Sequence, residues 1–182
     1  MRIDPINVQL KNEHVVTLRS PEIADAAEVL KHLKRVSQES YKNLNFDPKS
    51  IAAMTIEQEE KILKDFLDSS DKFMLTAFAS HVPIGNLGFM SLGKGFQKSS
   101  ARIGMGIEKA FQSIGLGTAL LQHTINFAKK VGFHRVELTV RTYNQAGIAL
   151  YESVGFEKVG LLKEVALIDG QFVDELMYQK II

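Results

Sequence analysis

One stretch of the chain constrains the fold more than any other. Residues 101–131, ARIGMGIEKAFQSIGLGTALLQHTINFAKKV, change their hydrophobic period part-way through. Ala101, Ile103, Met105 and Ile107 alternate with Arg102, Gly104, Gly106 and Glu108, the period of two that separates the faces of a strand. From Thr118 onward Leu120, Leu121, Ile125, Ala128 and Val131 form the stripe of an amphipathic helix. Lys129 and Lys130 in the last turn, with Gly132 just beyond, predict a helix C-terminus where cations meet the dipole. A strand therefore feeds a helix through the loop Gln112-Ser113-Ile114-Gly115-Leu116-Gly117, which places the chain in the α/β class.

Such a junction aims unpaired backbone N–H groups and the positive end of the helix dipole at the same point, which suits an anion. Gly115 and Gly117 carry no Cβ, so a phosphate could approach the backbone, and Thr118 could add a hydroxyl. A plain strand-to-helix turn explains the loop alone equally well. Two familiar phosphate loops are excluded: no G-x-x-x-x-G-K-[ST] occurs, and Leu120 replaces the third glycine of G-x-G-x-x-G.

The following forty residues add a second motif. Val136, Leu138 and Val140 alternate with Arg135, Glu137, Thr139 and Arg141, predicting another strand. Asn144 is a good N-cap for a helix over Gln145–Val154, with Ala146, Leu150 and Val154 on its buried face and Gly155 ending it. Tyr151 lies about 100° round from Leu150, at the margin of that face. Gln112-x-x-Gly115-x-Gly117 followed by Asn144-x-x-Gly147-x-x-Leu150-Tyr151-x-x-x-Gly155-Phe156 resembles the GNAT superfamily of acyl-CoA-dependent N-acyltransferases.

The rest of the chain is compatible with that resemblance. His14–Arg19 predicts a first strand, and Ser20-Pro21 starts a helix running to about Glu39, whose interspersed charges suggest a solvated face. Residues 40–48 break into a polar loop, and Thr55-x-x-Gln58 opens a second helix to about Asp68 with a capping box. Strands follow from Asp71 to Phe78 and from Ile84 to Leu92, and the turn-forming, basic link 93–100 leads to Ala101. Asp169-Gly170 joins Glu157–Ile168 to Gln171–Ile181 in a hairpin. The resulting order, β-α-α-β-β-β-α-β-α-β-β, is that of the GNAT fold: a mixed, mostly antiparallel sheet of about seven strands flanked by about four helices, in one domain over residues 1–182.

The resemblance implies an acetyl-CoA-dependent N-acetyltransferase that transfers the acetyl group directly to a primary amine in a ternary complex. By similarity Ile107 and Lys109 hold the pantetheine arm through backbone groups. Gln112, Ser113, Ile114, Gly115, Leu116, Gly117 and Thr118 cup the pyrophosphate, Asn144 touches the arm, and Tyr151 protonates the departing thiolate. The alternative on the same fold is a non-catalytic module that senses acyl-CoA. Some GNAT members place a glutamate base at the start of the central strand, where this chain has Ala101 and Arg102. Glu39, Glu108, Glu137 and His134 therefore stay open as bases, beside deprotonation through water.

Residues 150–178 look like the branch containing polyamine acetyltransferases and ribosomal-protein N-terminal acetyltransferases. A polyamine calls for convergent carboxylates, for which Glu39, Asp47, Asp174 and Glu175 are available. A peptide N-terminus calls for an open groove between residues 40–48 and the last hairpin. A formal charge of +1 gives no electrostatic reason to expect nucleic acid. With no cysteine, a cysteine acyl-enzyme and a thiolate zinc site are excluded, and the five histidines show no metal-ligand spacing. No apolar run reaches membrane-spanning length and no secretory signal is evident, so a cytoplasmic protein is expected, and a homodimer is compatible with the family.

Overall fold

In the computed structural model, which describes residues 1–11, 13–93 and 95–182, eight strands pair into one open sheet. They are β1 (Ile6–Gln9), β2 (Val15–Arg19), β3 (Lys72–Ala79), β4 (Val82–Ser91), β5 (Ser100–Ile107), β6 (Arg135–Arg141), β7 (Glu157–Ile168) and β8 (Gln171–Ile181). Five α-helices accompany them among the described residues: α1 (Ala26–Ser40), α2 (Pro48–Ala53), α3 (Ile56–Asp68), α4 (Leu116–Lys130) and α5 (Gln145–Ser153). The strand order is β1-β2-β3-β4-β5-β6-β8-β7, antiparallel throughout except for the β5–β6 pair.

The expected seven strands and four helices are thus corrected to eight and five. The additions are β1, four residues at the sheet edge, and α2, six residues between the expected polar loop and the helix opened by Thr55. Both are too short to show a period. Tertiary pairing makes the first, and Asp47, capping the Ser50 N–H ahead of Pro48, makes the second. Ser20 is not the expected N-cap: its hydroxyl accepts from Ile3 N–H and donates to the Met74 carbonyl, while Glu22 and Asp25 form the cap one turn later. Lys94 of the basic link lies outside the described residues.

The main core fills the face of the sheet covered by α4. Ala101, Ile103, Val136, Leu138 and Val140 meet Leu116, Leu120, Leu121 and Ala128 there, with Phe73 stacked on Phe89 at 4.4 Å. Helices α1 and α3 cover the opposite face of β3, β4 and the end of β5 only. The same face of β6 and β7 is bordered instead by residues 41–49, which end in the start of α2. Cross-strand register sets its residues in rows, Arg141 beside Glu175 and Leu162, and Arg102 beside Glu137 and Gln179.

Candidate active site

β5 and β6 pair only over Ser100–Arg102 and Arg135–Glu137, then part. Beyond that point β5 stays bonded to β4 as far as Ile107, and β6 stays bonded to β8 as far as Arg141. The separation leaves two facing rows of backbone groups without each other as partners, inside an otherwise continuous sheet. Glu108 N–H turns to the Ile84 carbonyl of β4, so the alternation of the strand points Ile107 the other way, into the gap. The Ile107 carbonyl accepts there from Gln112 Nε2 at 2.9 Å.

The loop after β5 ends where α4 begins. Ser113 and Gly115 both take left-handed conformations, at φ 63° and 92°, and in Gly115 this backbone is unstrained. The first bond of the helix runs from Ala119 N–H to the Gly115 carbonyl, so the N–H groups of Leu116, Gly117 and Thr118 have no helical partner. No acidic residue occupies the first turn of α4, whereas Glu57 and Glu59 do so in α3. An anion is thus the fitting complement to this helix end.

Gly117 serves a purpose other than the one its sequence suggests. It is buried, and an added Cβ would stand 2.7 Å from Leu150 Cδ2 and 3.4 Å from Ile107 Cδ1. Its missing side chain lets α5 approach α4, while Gly115 keeps the outward position.

α5 borders the gap from the β6 side. Asn144 is its N-cap, accepting from Gly147 N–H at 3.1 Å. Ile148, Leu150, Tyr151 and Val154 pack against the core, whereas Ala146, expected on that face, is exposed. Tyr151 sits edge-on to Phe156 with ring centroids 6.1 Å apart, and burial pushes its phenol up to about 12. Among the described residues its hydroxyl has no hydrogen-bond partner, so the phenol is neutral and unengaged.

One face of α1 grips the end of β5 through residues at helical spacing. Val36 lies over Gly106, where a Cβ would stand 3.1 Å from Val36 Cγ1. His32, one turn earlier, and Arg35, the preceding residue, both reach Glu108 Oε1, each at 2.8 Å. One turn later, Glu39 Oε2 accepts from Lys109 N–H at 2.8 Å. Burial keeps the His32 ring below its ordinary value, so it is neutral. Burial would raise Glu108, but hydrogen bonds from Arg35 and His32 outweigh it and hold the carboxyl low. The acceptor-only carboxylate fixes the His32 proton on Nδ1. The solvated face expected for α1 is therefore, at these positions, a polar clamp. The legible signal was His32 itself, four residues before Val36 in the apolar stripe.

These contacts sort the residues considered as bases. Glu108 belongs to the clamp. Burial would raise Glu137, yet Arg102 and Arg135 together hold it low, and it lies about 13 Å along β6 from Arg141. His134 precedes β6 at the end remote from the gap, about 23 Å from Arg141. Glu39 alone stands at the end of β5 without a cation among the described residues.

A cleft of about 380 Å³ runs between residues 41–49 and Ala166–Asp169. A second hollow of about 360 Å³ continues it over Arg102, Thr139, Arg141 and Glu175 towards the parted strands. Tyr41 donates to Asp169 Oδ2 at 2.9 Å and Lys42 pairs with the same carboxylate at 2.8 Å, bridging the two walls. Arg141 forms the buried joint between them, pairing with Glu175 and donating to the Leu44 carbonyl and Asn45 Oδ1. The acidic residues do not converge: Asp47 caps α2, Asp174 accepts from Glu164 N–H, and Glu175 is paired. Among the described residues no group of acidic and histidine side chains could hold a metal ion, and no helix is long and apolar enough to cross a membrane.

The pattern of the acetyltransferase (GNAT) family matches residues 35–156, more than half of the chain. The chain belongs to that family. A solved structure of a GNAT-family acetyltransferase from Streptococcus pneumoniae superposes with a TM-score of 0.86 at 30% identity, covering 92% of this chain and 99% of that one. N-alpha-acetyltransferase RimI of Mycobacterium tuberculosis is 41% identical over 66 residues, 36% of this chain and 40% of its own length. The ribosomal protein bS18-alanine N-acetyltransferase of Escherichia coli K12 is 46% identical over 52 residues, 29% of this chain and 35% of its own. The matches thus span well under half the length of these curated relatives.

Proposed function

We propose that residues 1–182 form one N-acetyltransferase domain that moves the acetyl group of acetyl-CoA to the free N-terminal amine of a peptide or protein. The observation that carries this reading is the junction of the parted end of β5 with the anion-fitting start of α4, and it is supported by a cleft over Thr139 and Arg141 of the other parted strand. The cofactor supplies the activated acetyl thioester. Ser113–Thr118 fit its diphosphate through their N–H groups, and Ile107, facing the gap, fits its arm. Asn144 borders the same gap but already uses its side-chain oxygen as a cap. The Lys109 N–H is engaged by Glu39, so in this reading Lys109 holds the arm only after that bond opens.

Attack by an amine on a thioester places negative charge on oxygen and then on sulfur. A fixed N–H at Ile107 stabilises the first, and the Tyr151 hydroxyl gives its proton to the second. Orientation of the two reactants is worth as much as about 7 to 11 kcal/mol, more than proton transfer supplies. The clamp from α1 thus contributes by fixing the end of β5.

The peptide acceptor is favoured over a polyamine by the open cleft and by the acidic residues, each already bonded within the protein. The test is release of free thiol from acetyl-CoA by the purified protein against peptides with free N-termini, amino acids and polyamines. Turnover with peptides and not with polyamines is expected. Turnover with polyamines alone overturns the acceptor assignment, and binding of acetyl-CoA without consumption of any acceptor favours the non-catalytic module.

A further inference from the structure

We propose that Lys11, in the turn between β1 and β2, is a cofactor-binding residue that sets its ammonium against the diphosphate at the end of α4. The inference rests on the cofactor reading above, and adds to the site a residue that lies about a hundred positions away in sequence and outside the loop and Asn144–Phe156 motifs. Two contacts place it. Lys11 N–H donates to the Ile114 carbonyl at 3.1 Å, which docks the turn onto the phosphate-fitting loop. Its stem then lies along the open side of Gly115, with Cγ, Cδ and Cε at 3.5, 3.9 and 3.9 Å from where a Cβ would stand. Gly115 thus has a second role: at φ 92° it turns the loop, and without a side chain it leaves the path that the Lys11 stem follows.

The charge has no competitor. Among the described residues no carboxylate pairs with Lys11, and the first turn of α4 has no acid. An exposed ammonium on a flexible stem acts as a point charge, suited to a phosphate that already receives directional bonds from backbone N–H groups. Because the group is exposed, its contribution is modest and salt-dependent. Lys11→Ala is therefore expected to weaken equilibrium binding of coenzyme A about two- to fivefold at low salt, with the difference shrinking at high salt. Lys11→Glu adds repulsion and weakens it further, while Lys11→Arg stays close to the parent protein.

Isothermal titration of the full chain with coenzyme A and with 3′-dephospho-coenzyme A decides the matter, with melting temperature as the control for folding. Equal losses for both ligands in Lys11→Ala, with an unchanged melting temperature, are expected. A loss confined to coenzyme A moves the lysine to the 3′-phosphate and overturns the diphosphate assignment. An unchanged Kd at low salt overturns the role of Lys11 while leaving the cofactor reading intact. A parent protein that binds neither ligand overturns the cofactor reading, and this inference with it.

Discussion

Replacing Glu59 with methionine should stabilise this protein, and the size of the effect follows from where that carboxyl lies. Glu59 is fully buried in α3, one turn before Leu63 on the same face, and among the described residues neither carboxyl oxygen has a hydrogen-bond partner. Burial pushes its pKa from the ordinary 4.5 up to about 7. The unfolded chain releases this proton near 4.5 and the folded chain only near 7, so between those values the folded state holds more protons. Stability therefore falls as pH rises through that window and is constant above it. At 1.36 kcal/mol per tenfold, the full loss above pH 7 is about 3 kcal/mol.

Methionine matches the length of the side chain without the charge, so Glu59→Met should recover most of that at pH 8 and little at pH 4.5. For a chain of this size about 3 kcal/mol corresponds to a rise of about 6 to 12 °C in melting temperature. Calorimetry of both proteins from pH 4.5 to 8.5 is the assay. A melting-temperature difference that does not grow with pH, or a variant less stable at pH 8, would refute the reasoning.

Tyr151→Phe should lower kcat about a hundredfold or more with little change in KM for acetyl-CoA, because the lost proton donor acts only as the thiolate departs. Since burial pushes that phenol up to about 12, the parent kcat should show no fall between pH 7 and 10 attributable to Tyr151; a basic limb there that Tyr151→Phe abolishes would contradict the raised pKa. Glu175→Ala leaves the buried Arg141 without its carboxylate and should cost about 3 to 5 kcal/mol in urea unfolding, with Glu175→Gln losing less. His32, held neutral by burial, binds its proton more readily in the unfolded chain, so stability contributed by this ring is lost as pH falls below about 6.5. His32→Asn should be less stable at pH 7.5 but show a flatter profile between pH 7 and 5.5 by thermal unfolding.

Local sequence determined those features whose cause is local. β6, β7 and β8 have the expected bounds because alternation and the Asp169-Gly170 turn, with both residues at positive φ, are written into neighbouring positions. The Thr55–Gln58 capping box forms as expected for the same reason. The strand–loop–helix junction at 101–131 was also legible, with α4 starting at Leu116, two residues before its apolar stripe. The loop follows β5 and the Asn144-capped helix bearing Tyr151 follows β6, an order that is local to the sequence.

Contacts between distant segments decided the remainder. β5 stays bonded to β4 and β6 to β8 on their outer edges while their facing edges part after Arg102 and Glu137, a divergence between two parts of the sheet that the β5 and β6 sequences do not encode. The His32–Arg35–Glu108 clamp, the Arg141–Glu175 joint and the Lys11 turn on Gly115 each join residues between 34 and about 104 positions apart. Period and propensity describe a residue's neighbours along the chain. Charge pairing, burial of a carboxyl and the room left by a missing Cβ depend on which surfaces the folded chain brings into contact.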